Sequence, residues 1–170
     1  MDAVRSGRLD AQIVAVGADV PGCGALARAA RAGIDTFALA LTDYPSREDW
    51  NEALADAIAG YRPDIVICAG FMRVLGPAVV GRFTIVNTHP SLLPAFPGAH
   101  AIRDALHHGV KLTGVTIHLV DEGLDTGPIL AQVAVPVSDD DTEESLRQRI
   151  QAAEKPLYID AIIRLCKEIS

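Results

Sequence analysis

The sequence predicts an α/β fold, a doubly wound and mostly parallel sheet with helices packed on it. Three observations carry that expectation. Short apolar runs alternate with helix-like stretches, joined by short connections. One run, Ile65-Val66-Ile67-Cys68-Ala69, is continuously apolar, as in a strand buried on both faces. The chain has 170 residues, 49% of them hydrophobic, which suits one domain with a full core.

Taken in order, Met1 to Gly7 reads as the last turns of a helix closed by glycine. Ile13 to Val16 is the first expected strand, followed by a helix from about Gly24 to Ala32. Phe37 to Leu41 is the second strand, and Ser46 caps a helix running to about Ala59. Arg62-Pro63-Asp64 turns into the apolar run at Ile65. Pro77 opens a short helix between Leu75 and Val80. Thr84 to Val86 is a strand that feeds a stiff loop, Asn87-Thr88-His89-Pro90-Ser91-Leu92-Leu93-Pro94, because proline fixes φ and removes a donor. Ala101 to His108 is a helix ended by Gly109. Val110 to Val120 and Ile129 to Val137 are β-rich and able to pair with each other. Asp141 with Glu144 resembles a capping box for a long last helix, with Leu146, Ile150, Ala153 and Leu157 on one face. Pro156 is expected to kink or break that helix.

Composition excludes little but points consistently. A formal net charge of −7 disfavours nucleic acid as a partner. No apolar run approaches bilayer length, so no membrane span is expected. Cys23, Cys68 and Cys166 lack metal-ligand spacing and suit a reducing, cytoplasmic setting.

In α/β sheets ligands bind beyond the carboxyl ends of strands, where the Asn87–Pro94 loop and the Gly70–Arg73 turn both lie. Asn87 and His89, two apart in extended chain, project to one side. Asp125, from Asp121-Glu122-Gly123-Leu124-Asp125-Thr126-Gly127-Pro128, is the candidate third member. A carboxylate beside a histidine favours its charged form, a proton donor near neutral pH. An Asn amide can hold an oxyanion, an effect worth about 3 to 4 kcal/mol where it was measured. Together they suit attack of an amine on an acyl carbon. The competing structural reading has His89 bonded to loop backbone and Asp125 capping a turn. Gly22-Cys23-Gly24-Ala25-Leu26-Ala27 with Asp43 fits a dinucleotide-binding fingerprint, or else a tight turn before a small-residue helix. His118 reads as a satisfied strand histidine, and Asp139-Asp140-Asp141 as a solvated run before a helix. Arg73 and Arg47 could hold an anion or form structural ion pairs.

Three motifs carry a resemblance: Ala69-Gly70-Phe71-Met72-Arg73-Val74-Leu75, then Asn87 through Pro94-Ala95-Phe96-Pro97-Gly98, then His118 through Asp125-Thr126-Gly127-Pro128. In this order they strongly resemble the phosphoribosylglycinamide formyltransferases of purine biosynthesis, over nearly the whole chain. The resemblance implies a Rossmann-like formyltransferase fold in a single domain, residues 1–170. It implies transfer of formyl from 10-formyltetrahydrofolate, as co-substrate, to the amine of glycinamide ribonucleotide, with no metal. His89 would be the proton donor, Asn87 the oxyanion stabiliser, and Asp125 the carboxylate that raises the pKa of His89. Met72, Arg73, Val74 and Leu75 would hold the pterin together with Asn87. Val120, Asp121, Glu122, Gly123 and Leu124 would form the facing loop, and Arg47 a further folate contact. Pro90 and Glu154 would touch the ribonucleotide. It also reassigns Gly22 to Ala27 to a packing turn and helix. A cytoplasmic monomer or homodimer follows from the same likeness. The family opens with a strand and a Gly-x-Gly-Ser/Thr-Asn phosphate loop for which this sequence shows no counterpart. A chain N-terminally truncated in that way would keep the folate pocket but bind ribonucleotide poorly. The alternative expectation is therefore a catalytically impaired remnant that binds folate only.

Overall fold

A computed structural model describes residues 1–169. The chain divides into two compact units, one of Met1–Val66 with Leu75–Phe83, the other of Ile67–Val74 with the chain from Thr84 onward.

The first unit opens with α1 (Asp2–Arg5), and the chain turns at Gly7 with φ +73°, the expected helix end. β1 (Val16–Ala18) and β2 (Thr36–Ala38) pair in parallel, with Val16 opposite Thr36. β1 lies three residues later than the apolar run suggested, because a strand begins where its ladder does: Val16 N–H donates to Asp35 O at 2.9 Å. β2 ends early, and Leu41–Asp43 turns into a 3₁₀ helix. Between them, α2 (Gly24–Arg31) buries only Ala29.

α3 (Arg47–Tyr61) starts where Ser46 accepts from Asp49 N–H at 3.0 Å. It buries Trp50, Leu54, Ala55 and Ile58 on one stripe, and the Trp50 indole donates to Leu39 O at 2.9 Å. The helix stops at Arg62, which is left-handed with φ +49° just before Pro63. α4 (Pro77–Val80) has proline in its first turn, where a missing N–H costs nothing. Buried Asn51 ties the two helices: it donates to Arg47 O and accepts from Gly76 N–H at 2.7 Å. A Cβ at position 76 would lie 2.9 Å from the Asn51 side chain, so glycine is required there.

The second unit contains a four-stranded sheet in the order β3-β4-β5-β6, with β3 (Val66–Ile67) at the unit boundary. β4 (Ile85–His89) is the central element for function, and Cys68 N–H donates to Val86 O at 2.9 Å. It runs through Asn87 and His89 rather than ending at Val86, because the antiparallel ladder to β5 (Leu112–Leu119) continues as far as His89 opposite Thr116. β5 pairs antiparallel with β6 (Ile129–Pro136), as the sequence suggested, with an irregularity between Ile117 and His118. The sheets are thus mixed, parallel at β1–β2 and antiparallel across β4, β5 and β6.

α6 (Glu143–Ile169) packs on β5 and β6 of this sheet, and α5 (Ala101–His107) packs against α6. The core of the sheet includes Ile85, Val86, Val115, Ile117, Leu146 and Ile150, each at most 1% exposed. The capping box of α6 sits one residue later than expected: Ser145 N–H donates to Thr142 Oγ1 and Thr142 N–H to Ser145 Oγ, at 3.2 and 3.0 Å. Asp141, freed from capping, takes both Arg149 terminal nitrogens at 2.7 and 2.9 Å. Arg149 first, then the Ser138 amide and Ser145 hydroxyl, hold its carboxyl well below the usual carboxylate range. This member of the acidic run is therefore a structural ion pair, not a solvated charge. α6 continues through Pro156 without a break; buried residues on both sides, Ile150 before and Tyr158, Ala161 and Ile162 after, hold it on the sheet. Among the described residues no helix is long and apolar enough to cross a membrane, and no group of three or more acidic, His or Cys side chains is arranged to hold a metal.

Candidate active site

β4 is buried up to its end because Ile85 and Val86 are both apolar, and its last residues then carry polar side chains to the rim. With a side-chain period of two, Asn87 and His89 face the same way. Antiparallel register sets His118 opposite Asn87 and Thr116 opposite His89. Sequence reasoning placed the first pair together but read His118 as a bystander; pairing register, invisible within one strand, brings it in.

His118 Nδ1–H donates to Leu119 O at 2.9 Å, which leaves Nε2 as an acceptor. The Asn87 amide donates to that Nε2 at 3.3 Å. An amide has two N–H bonds, and the one given to His118 fixes the plane in which the other lies. His89 is 4% exposed. Its Nε2 is 2.8 Å from Phe96 O, and its Nδ1 is 3.3 Å from Asp125 Oδ2. Both ring nitrogens thus face acceptors.

Asp125 sits between the two histidines, with Oδ1 3.7 Å from His118 Nε2. Its Oδ2 also accepts from Gly98 N–H at 2.7 Å, which joins the loop after β4 to the loop after β5. Asp125 and Phe96 both adopt left-handed backbone, φ +56° and +52°, where side-chain-bearing residues are uncommon. Gly127 lets the β5–β6 loop fold tightly back, since a Cβ there would lie 1.9 Å from Leu119 O. Asp121 Oδ1 closes the same loop, accepting from Gly123 N–H at 3.1 Å and from the Thr126 hydroxyl at 2.7 Å.

The other expected ligand residues lie on several elements. Met72, Arg73 and Val74 follow β3 in the second unit, as do Val120 to Leu124 after β5. Met72, Val74 and Leu124 are large apolar side chains, yet 74%, 52% and 54% exposed. Leu75 and Arg47, at the first residue of α3, belong to the first unit. Pro90 directly follows His89. Glu154 lies on α6, and burial raises its carboxyl above the ordinary value, with the Thr88 hydroxyl and Lys155 opposing. Within Gly22 to Ala27, Gly24 faces open space and Ala27 is exposed, so neither makes the close helix–strand contact that the dinucleotide fingerprint needs.

The arrangement is therefore an amide donor and an imidazole, side by side on one strand end, each oriented by a second group. It can receive a developing oxyanion and hand it a proton.

Comparison with known proteins identifies the family. Residues 1–162 match the family model described as formyl transferase. A phosphoribosylglycinamide formyltransferase of Mycobacterium tuberculosis is 52% identical over 161 residues, covering 94% of this chain and 74% of the relative. The Escherichia coli protein of the same name is 38% identical over 160 residues, covering 93% and 76%. The crystal structure of glycinamide ribonucleotide transformylase 1 from Symbiobacterium toebii superposes with a TM-score of 0.95 at 44% identity, covering 98% of this chain and 80% of that one. The chain belongs to the formyl transferase family: it has the α/β formyltransferase fold and is a transferase.

Proposed function

We propose that the protein transfers a formyl group from 10-formyltetrahydrofolate to the amine of glycinamide ribonucleotide, a step of purine biosynthesis. The observation that carries this reading is the Asn87–His89–Asp125 constellation, with Asp125 Oδ2 at 3.3 Å from His89 Nδ1. The names of the relatives supply the substrate, and the exposed apolar side chains of Met72, Val74 and Leu124 suit the flat ring of a folate. The family match over residues 1–162 runs through both units and supports reading the chain as one formyltransferase domain.

In this reading the substrate amine attacks the formyl carbon. A C–N bond forms, and the carbonyl oxygen becomes an oxyanion. Asn87 donates to that oxygen, and His89, its Nε2 held by Phe96 O, gives it the proton from Nδ1, the nitrogen that faces Asp125. Collapse of the tetrahedral intermediate returns the proton from that oxygen to His89 and breaks the bond from the formyl carbon to the folate nitrogen. The attacking amine releases a proton, and the departing folate nitrogen takes one. Asp125 is assigned the relay of that proton through water. Pro90 and Glu154 are assigned to the ribonucleotide side. Arg47, Met72 to Leu75 and Val120 to Leu124 are assigned to the folate side. No step calls for a metal. We assign the chain to the cytoplasm, whose reducing conditions suit three dispersed cysteines.

Steady-state formyl transfer with both substrates, run beside titration with a folate analogue, tests the proposal. Turnover with analogue binding is the expected result. Analogue binding without turnover would instead identify a folate-binding remnant.

A further inference from the structure

Taking the proposed transfer reaction as its basis, we propose that Thr116 and Gln132 are positioning residues for His89, acting through the backbone of the loop that follows β4. His89, Thr116 and Gln132 occupy one row across three strands: Thr116 pairs with His89 on one side and with Gln132 on the other. The Thr116 hydroxyl is fully buried and fully used. It donates to Ser91 O at 2.7 Å and accepts from Leu93 N–H at 3.0 Å and from the Gln132 amide at 2.9 Å. The same Gln132 nitrogen donates to Leu93 O at 3.0 Å, so both its hydrogens are engaged.

These bonds fix both sides of the Ser91–Leu93 backbone. The Ser91 hydroxyl then donates to Ala95 O, and Ala95 N–H to Leu92 O at 3.0 Å. The next residue is Phe96, whose carbonyl accepts from His89 Nε2 at 2.8 Å. On its far side, Gly98 N–H is anchored to Asp125. Phe96 sits in left-handed backbone, a conformation that persists only when its surroundings impose it. The row therefore ends where it began. Thr116 and Gln132 hold the loop, the loop holds the Phe96 carbonyl, and that carbonyl sets the plane of the His89 ring opposite Asp125. Neither residue needs to touch a substrate.

The test uses the full chain with Thr116→Val, Thr116→Ser and Gln132→Met. Thr116→Val and Gln132→Met are expected to lower kcat by roughly 10- to 100-fold, as for a misplacement on the order of 1 Å, with KM for both substrates unchanged. Thr116→Ser, which keeps the hydroxyl, is expected to retain most of the activity. The ¹⁵N spectra of labelled histidine, with the His89 signals assigned by their loss in His89→Asn, give a second readout independent of turnover. The wild type is expected to show a slowly exchanging Nε2 proton that Thr116→Val and Gln132→Met release. Gln132 is exposed on β6, so its variant folds even if Thr116→Val does not. Wild-type kcat or an unchanged Nε2 proton in Gln132→Met would overturn the proposal, as would Thr116→Ser behaving like Thr116→Val. If the chain shows no transfer at all, the reaction reading fails while the Nε2 proton still decides the positioning role.

Discussion

At the scale of single residues, the site pairs groups that sequence spacing can find with groups it cannot. Asn87 and His89 were legible because a two-residue separation at a strand end fixes their common direction. His118, Thr116 and the Phe96 carbonyl were not, because they arrive through cross-strand register and a loop whose path no local pattern specifies. His118 has a testable consequence. Its Nε2 accepts from the Asn87 amide, so His118→Phe should leave Asn87 free to rotate and lower kcat more than it raises KM. Removing an oxyanion donor outright costs about 10²–10³ in kcat, and this loss should be smaller, since Asn87 itself remains. A change confined to KM would show that His118 does not orient Asn87. Glu154 makes a different prediction. Burial raises its carboxyl above the ordinary 4.5, so the folded state favours the neutral form. Its contribution to stability is fully present below the ordinary value and is lost as pH rises through the folded one. Glu154→Gln removes that loss. Urea unfolding at about pH 4.5 and about pH 7 should show the wild type losing stability relative to Glu154→Gln at the higher pH. A difference of opposite sign would contradict the burial argument.

At the scale of elements, helices were read more accurately than strands, for a physical reason. A helix carries its own hydrogen bonds, and its ends are written in caps such as Ser46 before α3 and Pro77 in α4. A strand ends where its partner does, so β1 began late and β4 ran on to His89. The start of α6 shows how near two caps can lie. Asp141 and Thr142 both have capping chemistry, and Thr142 prevails because Arg149 claims the Asp141 carboxylate. Thr142→Ala should cost about 1 kcal/mol, read as a lower Tm with the enzyme's kcat unchanged. An equal loss in Asp141→Asn and none in Thr142→Ala would return the cap to Asp141. Pro156 was expected to disrupt α6, but the loss of one donor is local, whereas Leu146, Ile150, Tyr158, Ala161 and Ile162 bury its face along most of its length.

At the scale of the whole molecule, the alternation of strands and helices identified the class, and three separated motifs identified the family. Alternation could not foresee the division into two compact units, because tertiary contact density is not a periodic property of sequence. The dinucleotide fingerprint shows how little spacing alone carries: Gly22, Gly24 and Ala27 have the right spacing, yet Gly24 faces open space and Ala27 is exposed. The central claim is that the end of β4 performs formyl transfer with Asn87 as oxyanion donor and His89 as proton donor. Its most direct test is kcat for formyl transfer to glycinamide ribonucleotide in the wild type, Asn87→Ala and His89→Ala. Loss of about 10²-fold or more in each variant, with the fold intact by circular dichroism, is the predicted result. Full wild-type turnover in either variant would contradict it.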